Sequence, residues 1–258
     1  MNEWKVTKVG KTPKLVNPIL IEGLPGIGNV GKVAVDFIID ELEAKKVFEL
    51  FSYAMPHSVF VNEANLVELP SIAVYHKKVR KQDLLFVAGD AQPIDERSTY
   101  DFSDAILKLF VSLNGKQAVT LGGIGLPSIP KKPKVYCTGT SKPFVAKFCS
   151  NTQAQTKIYG IVGPIIGVSG LLLGLAPRHN VDAVSFLAET YGHPMYLGIR
   201  GAREIVSLLN EKLALGIDMK SLDAEISHLE SEAEKTTKSI DIKKSSRGMK
   251  AGEATYIG

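Results

Sequence analysis

Pro18-Ile19-Leu20-Ile21-Glu22-Gly23-Leu24-Pro25-Gly26-Ile27-Gly28-Asn29-Val30-Gly31-Lys32 runs from an apolar segment through a glycine turn into a helical pattern. Residues 18–22 read as a buried strand. In residues 29–42, Val30, Val33, Ala34, Phe37, Ile38 and Leu42 recur at helical spacing. Strand, tight turn and helix in that order open an α/β domain.

The alternation continues outward. Residues 47–53 and the wholly apolar 84–88 read as strands, as do 118–121, 134–138 and 183–187. Segments 58–61 and 66–69 flank Asn62-Glu63-Ala64-Asn65 and predict a hairpin, which 72–75 extends. Helices are predicted at 99–113, 143–148 and 202–215. Strands separated by helices imply parallel pairing, and the hairpin adds antiparallel pairs, so the sheet is mixed with helices on both faces.

The 258 residues are 45% hydrophobic and 22% charged, which excludes a disordered chain and a disulfide-stapled mini-domain. Cys137 and Cys149 fall in different predicted elements, and the sequence reads without a secretory signal, so a reducing cytoplasm is expected. Of the net charge of +4, the basic excess sits in residues 235–250, where Asp241 is the only acid. That segment lacks interleaved aromatic residues, so it reads as a solvated tether rather than a nucleic-acid contact.

Residues 158–177 carry no charge, long enough for a membrane span. Gly160, Gly163, Pro164, Gly167, Gly170 and Gly174 interrupt them, and the expectation is a buried strand, a glycine turn and a buried helix. Further on, Leu222, Ile226, Leu229 and Ala233 follow 4-3-4 spacing over two heptads. Such a stripe suits a helix packed on its own domain or a self-association helix. The expected organisation is a domain over 1–217, an amphipathic helix over 218–237 and a flexible basic tail over 238–258.

Several stretches resemble catalytic motifs. Gly26, Gly28 and Gly31 satisfy G-x-G-x-x-G between strand and helix, and with Lys32 they also approach a phosphate loop. Val33 stands where the phosphate loop needs Ser or Thr, and Glu49 lies inside its strand instead of at the end where a ribose is held. Gly26, Gly28, Gly31 and Lys32 are therefore weak anion-loop candidates, and a tight structural turn is the expectation. Gly167-Val168-Ser169-Gly170-Leu171 misses the last glycine of a nucleophile elbow, and Glu189 and His193 lie too close together to complete a triad. Ser169 is expected to cap a helix. Asp90, Asp95 and Glu96 form an acidic group after a strand, expected to be solvated or capping. The five histidines show no H-E-x-x-H pattern, so no metal is expected, nor any cofactor.

Residues 21–31 resemble the opening motif of the proteasome assembly chaperone 2 family, especially its archaeal members. The Gly122-Gly123-Ile124-Gly125 turn, Gly163–Gly170, Ala188-Glu189-Thr190-Tyr191-Gly192-His193-Pro194 and Leu215-Gly216-Ile217-Asp218 follow in the family's order, over roughly residues 14–225. The resemblance implies a three-layer α/β/α fold with a mixed sheet, like the phosphorylase/hydrolase group, and a non-enzymatic role. It implies a homo-oligomer, or a mixed oligomer with a paralogue, that binds proteasome α subunits. Some members dock through a terminal hydrophobic-tyrosine-any tripeptide; here Tyr256, Ile257 and Gly258 end the sequence, with the tyrosine third from last. Tyr256, Ile257 and Gly258 are the candidate partner contacts, together with Leu222, Ile226 and Leu229. The alternative is a phosphorylase/hydrolase-type or ATP-dependent enzyme that uses the Gly26–Gly31 loop for an anion or nucleotide.

Overall fold

The computed structural model describes residues 4–10, 14–224 and 226. The chain divides into two units, Met1–Ile217 and Asp218–Gly258. The first is built on an eight-stranded mixed sheet. Its strands are β1 (Lys5–Lys8), β2 (Ile19–Glu22), β3 (Lys45–Phe51), β6 (Ile72–Val79), β7 (Gln82–Gly89), β8 (Gln117–Leu126), β9 (Val135–Gly139) and β10 (Asp182–Tyr191). They lie side by side in the order β1-β3-β6-β7-β2-β8-β10-β9. The predicted hairpin forms as β4 (Phe60–Val61) and β5 (Val67–Glu68), a separate two-stranded ribbon.

Strand β2 pairs in parallel with both β7 and β8, and β8 pairs in parallel with β10. Its four residues are all buried, as an apolar strand in the middle of a covered sheet must be. Helix α1 (Val30–Glu41) packs with α5 (Ile199–Leu213), while α2 (Glu96–Ser112) packs with α4 (Val168–Leu175); α3 (Lys142–Cys149) lies against β9 and β10. Leu20, Leu85 and Ala118 of the sheet form one core with Phe102, Ile106 and Phe110 of α2 and with Val168 and Leu172 of α4. These features make up the three-layer α/β/α arrangement.

Strands β2, β3, β7, β8 and β10 all point the same way, so the loops that follow them share one end of the sheet. The chain leaves β2 toward β3 on one side and leaves β8 toward β9 on the other. The seam between β2 and β8 is therefore the topological switch point, where ligands enter such sheets.

Three expectations change. Gly122, Gly123 and Gly125 do not form a turn but continue β8, which pairs with β10 as far as Tyr191↔Leu126. Segment 158–167 holds no buried strand; it carries only an isolated bridge between Tyr159 and Val162, and Tyr159 and Ile166 stand exposed. The chain touches the free edge of β9 only just before this segment, where Gln155 bridges to Tyr136, and then leaves the sheet. Finally, α2 begins at Glu96, earlier than periodicity indicates, because the Asp95 carboxylate accepts from the Ser98 amide at 2.9 Å and caps it there. Strand β1, all exposed, has no apolar alternation to announce it. No helix among the described residues is long and apolar enough to cross a membrane.

In the second unit, residues 219–224 and 226 are helical, and Leu222 and Ile226 are buried. Leu229, Tyr256, Ile257 and Gly258 lie outside the described residues, as do the basic tail and His228.

Candidate functional site

The seam between β2 and β8 opens into a cavity of about 600 Å³. Its walls are the turn after β2 (Leu24, Gly26, Ile27), the end of β8 (Leu121–Gly125), and residues 161–167. No charged side chain lines it; the polar ones are Gln92 and Ser169. Gln92 is committed to the fold. Its Oε1 accepts from the Val168 amide at 2.9 Å, and its Nε2 donates to the Pro25 carbonyl. It ties the wall at residue 168 to the turn after β2.

Behind the cavity lies an unusual row. Register places Glu22 beside Thr120, and Thr120 beside Ser185. All three share the parity of Leu20, Ala118 and Ala183, so they face the α2/α4 layer. Each is wholly buried, and Glu22 Oε2, Thr120 Oγ1 and Ser185 Oγ have no hydrogen-bond partner in the protein. Leaving buried oxygens unpaired is costly, so this row calls for a partner from outside the chain, a buried water being the simplest. Glu22 Oε1 accepts from the Leu24 amide at 3.1 Å and from Ser169 Oγ at 3.2 Å. Burial raises the Glu22 carboxyl to about 7, against the lowering effect of those two donors.

Ser169 does not cap α4; Gly167 occupies the cap position. The Ser169 hydroxyl instead lies within reach of two acceptors, Glu22 Oε1 and the Leu121 carbonyl at 3.3 Å. It carries one proton, which both acceptors draw inward.

The glycine turn has a packing cause. A Cβ on Gly23 would collide with the Gly31 carbonyl and Val35, and one on Gly31 with the Leu121 carbonyl. These two glycines let β2, α1 and β8 approach at backbone distance. Gly28 has φ +61° and lies against Thr190, whereas a Cβ on Gly26 would meet nothing. Lys32, the cation of the weak anion-loop candidates, is held at 2.8 Å by Asp36 one turn along α1. Burial, outweighing this partner, raises the Asp36 carboxyl.

The remaining candidates are distributed. Asp90 Oδ2 accepts from the Ser71 amide at 3.0 Å and hydroxyl at 2.9 Å, and Asp95 caps α2. Glu189 accepts from the Tyr136 hydroxyl at 3.1 Å, while His193 stacks on Tyr191. His76 pairs with Asp83 at 2.9 Å and His179 with Asp104 at 2.8 Å. No group of three metal-ligating side chains occurs among the described residues. Sequence reasoning assigned no role to Glu22, Thr120 or Ser185. The available signal was a polar residue inside each of three apolar strands, and only their register brings them into one row.

The same end of the sheet carries most of the exposed apolar surface. Tyr53 and Ile166 are 91% and 84% exposed, and Met195 is 88% exposed. The β4–β5 ribbon adds Val61, Leu66, Val67 and Leu69, each more than half exposed.

The family model described as the PAC2 family matches residues 20–237. The Methanocaldococcus jannaschii protein MJ1210 is 29% identical over 231 residues, spanning 90% of this chain and 87% of the relative. The crystal structure of Pyrococcus furiosus PbaB, an archaeal proteasome activator, superposes with a TM-score of 0.83 at 29% identity, over 92% of this chain and 100% of PbaB. That of Pyrococcus furiosus PbaA, an archaeal homologue of proteasome-assembly chaperone, gives 0.76 at 24% identity, over 93% and 95%.

Proposed function

The chain belongs to the PAC2 family, and we propose that it is a non-enzymatic, oligomeric proteasome-assembly-chaperone-like protein that works by binding other proteins. Its proposed partners are proteasome α subunits or a paralogous family member, and its proposed location is the cytoplasm. The observation that carries this reading is the apolar surface at the C-terminal end of the parallel strands. Tyr53, the β4–β5 ribbon, Ile166 and Met195 expose large side chains there, far more than a surface with no partner requires. Most such side chains lie on loops, where an interface is reshaped without disturbing the sheet.

Two facts add support. PbaB, similar over its whole length, is an archaeal proteasome activator. The residues that resembled catalytic motifs, Asp90, Asp95, Glu189 and Lys32, are engaged in bonds that hold the fold together. Leu229, with Tyr256, Ile257 and Gly258, remains a proposed contact in addition to this surface, as do Leu222 and Ile226, which are buried in the single chain and would serve only if their helix is turned outward on assembly.

The test is co-migration with archaeal proteasome α rings on a sizing column, for the full chain and for a chain ending at Thr255. Binding lost on truncation assigns the contact to Tyr256–Gly258, and binding retained assigns it to the domain. Absence of binding by the full chain, with light scattering giving the mass of a monomer, contradicts the proposal.

A further inference from the structure

We propose that the cavity between β2 and β8 is a binding site for a small, largely apolar molecule that carries a hydroxyl or amine donor, and that Ser169 accepts the hydrogen bond from that donor. This site shares Ile166 with the edge of the exposed apolar surface, but its polar contact, Ser169, is not part of that surface and the proposal does not depend on the partner-binding reading.

The cavity's position comes first. It lies outside the carboxyl ends of two parallel strands whose connections diverge, the place where open α/β sheets take ligands. About 600 Å³ is the volume of a small-molecule pocket. Its walls are leucine, isoleucine and glycine, which suit an apolar body.

The polar chemistry then selects the head group. The Ser169 proton is drawn toward Glu22 Oε1 and the Leu121 carbonyl, both of which only accept when Glu22 is ionised. Toward the cavity Ser169 therefore offers lone pairs. A donor fits there; a carboxylate or phosphate, which only accepts, does not. No cation lines the cavity to hold an anion, and Lys32 is paired with Asp36. Glu22 is wholly buried behind Ser169, and above about pH 7, where its carboxyl is ionised, it adds an electrostatic preference against anions. The unpaired hydroxyls of Thr120 and Ser185 continue the polar row away from Glu22.

Three probes with one body separate these contributions: 1-adamantanol, 1-adamantylamine and adamantane-1-carboxylate. They would be titrated at about pH 8, where Glu22 is ionised, into the full chain carrying 13C-labelled methyl groups and followed by NMR. The alcohol and the amine are expected to saturate, shifting the methyls of Leu24, Ile165 and Leu187, with the carboxylate weaker by about ten-fold, roughly the worth of one such polar contact. Ser169→Ala is expected to weaken the alcohol and amine by about five-fold while leaving the carboxylate unchanged. Equal binding of the three probes overturns the proposal. So does saturation that shifts methyls elsewhere, or no saturable binding by the alcohol and amine. The ranking of the probes on the unaltered protein decides the matter even if the Ser169 variant fails to fold.

Discussion

The turn at 23–31 and the run at 158–177 are both apolar and glycine-rich, yet most of their glycines serve different ends. In the first, Gly23 and Gly31 sit where backbones of β2, α1 and β8 nearly touch. In the second, a Cβ on Gly160, Gly163 or Gly174 would meet open space, and Tyr159 and Ile166 stand exposed. Gly23 and Gly31 close the core, Gly160 and Gly163 lie on an open loop at the rim, and Gly170 returns to the first use, since a Cβ there would meet the Ile165 carbonyl at the start of α4. Composition does not separate these uses; what lies opposite each glycine does.

Substitution sharpens the contrast. Gly31→Ala drives a methyl into the Leu121 carbonyl, which belongs to a central strand and cannot yield, so a loss of about 3 kcal/mol in urea unfolding is expected. Gly23→Ala should behave alike. An unchanged midpoint for either would refute the close-approach account.

A comparable effect, on the order of 3 kcal/mol, is expected from pH acting on Glu22. Its carboxyl titrates at about 7 in the folded chain against 4.5 ordinarily, so the folded state holds the proton more tightly. Stability from this group is therefore fullest below pH 4.5 and falls as pH rises toward about 7. Unfolding free energies at roughly pH 5 and pH 8 should differ less in Glu22→Gln than in the unaltered chain. Equal slopes would remove the buried acid from the account. The carboxylates held low, Asp83 and Asp104, titrate in a more acidic window: burial of Asp83 is outweighed by the Val16 amide and His76, and Asp104 is held chiefly by Lys108 with His179.

At the rim the expected changes in stability are small. Gly163→Ala should shift unfolding by less than about 0.5 kcal/mol, since its Cβ meets nothing. Val61→Lys with Val67→Glu should likewise leave stability within about 0.5 kcal/mol, because both side chains are exposed and the new charges, directly opposite across the ribbon, attract. The mass in solution or the capture of a partner should fall instead. A large loss of stability in either would mean that the rim is part of the core.

Much of the architecture is legible in sequence. The apolar runs around Ile19–Glu22 and Leu84–Ala88 locate buried parallel strands, and Asn62–Asn65 locates the ribbon. The glycines of β8 mislead because glycine signals turns locally, whereas here the chain stays extended while the backbones of Ile27 and Gly192 pass close by. Segment 158–167 misleads because apolar content suggests burial, whereas here Tyr159 and Ile166 stand exposed and other residues of the segment wall the cavity. The site is less legible still. Glu22, Thr120 and Ser185 are 98 and 65 residues apart in sequence and meet only through register. Ser169 was visible as part of a near-motif, but its inward bond to Glu22 depends on how α4 packs over β8.

The central claim is that the exposed apolar end of the sheet binds protein partners. The most direct test is sizing-column co-migration with archaeal proteasome α rings, comparing the full chain with its Val61→Lys/Val67→Glu and Tyr53→Ser/Ile166→Ser variants, each first checked for unchanged unfolding. The account predicts that the unaltered chain travels with the rings and that at least one folded rim variant does not. Undiminished co-migration by both variants would contradict it.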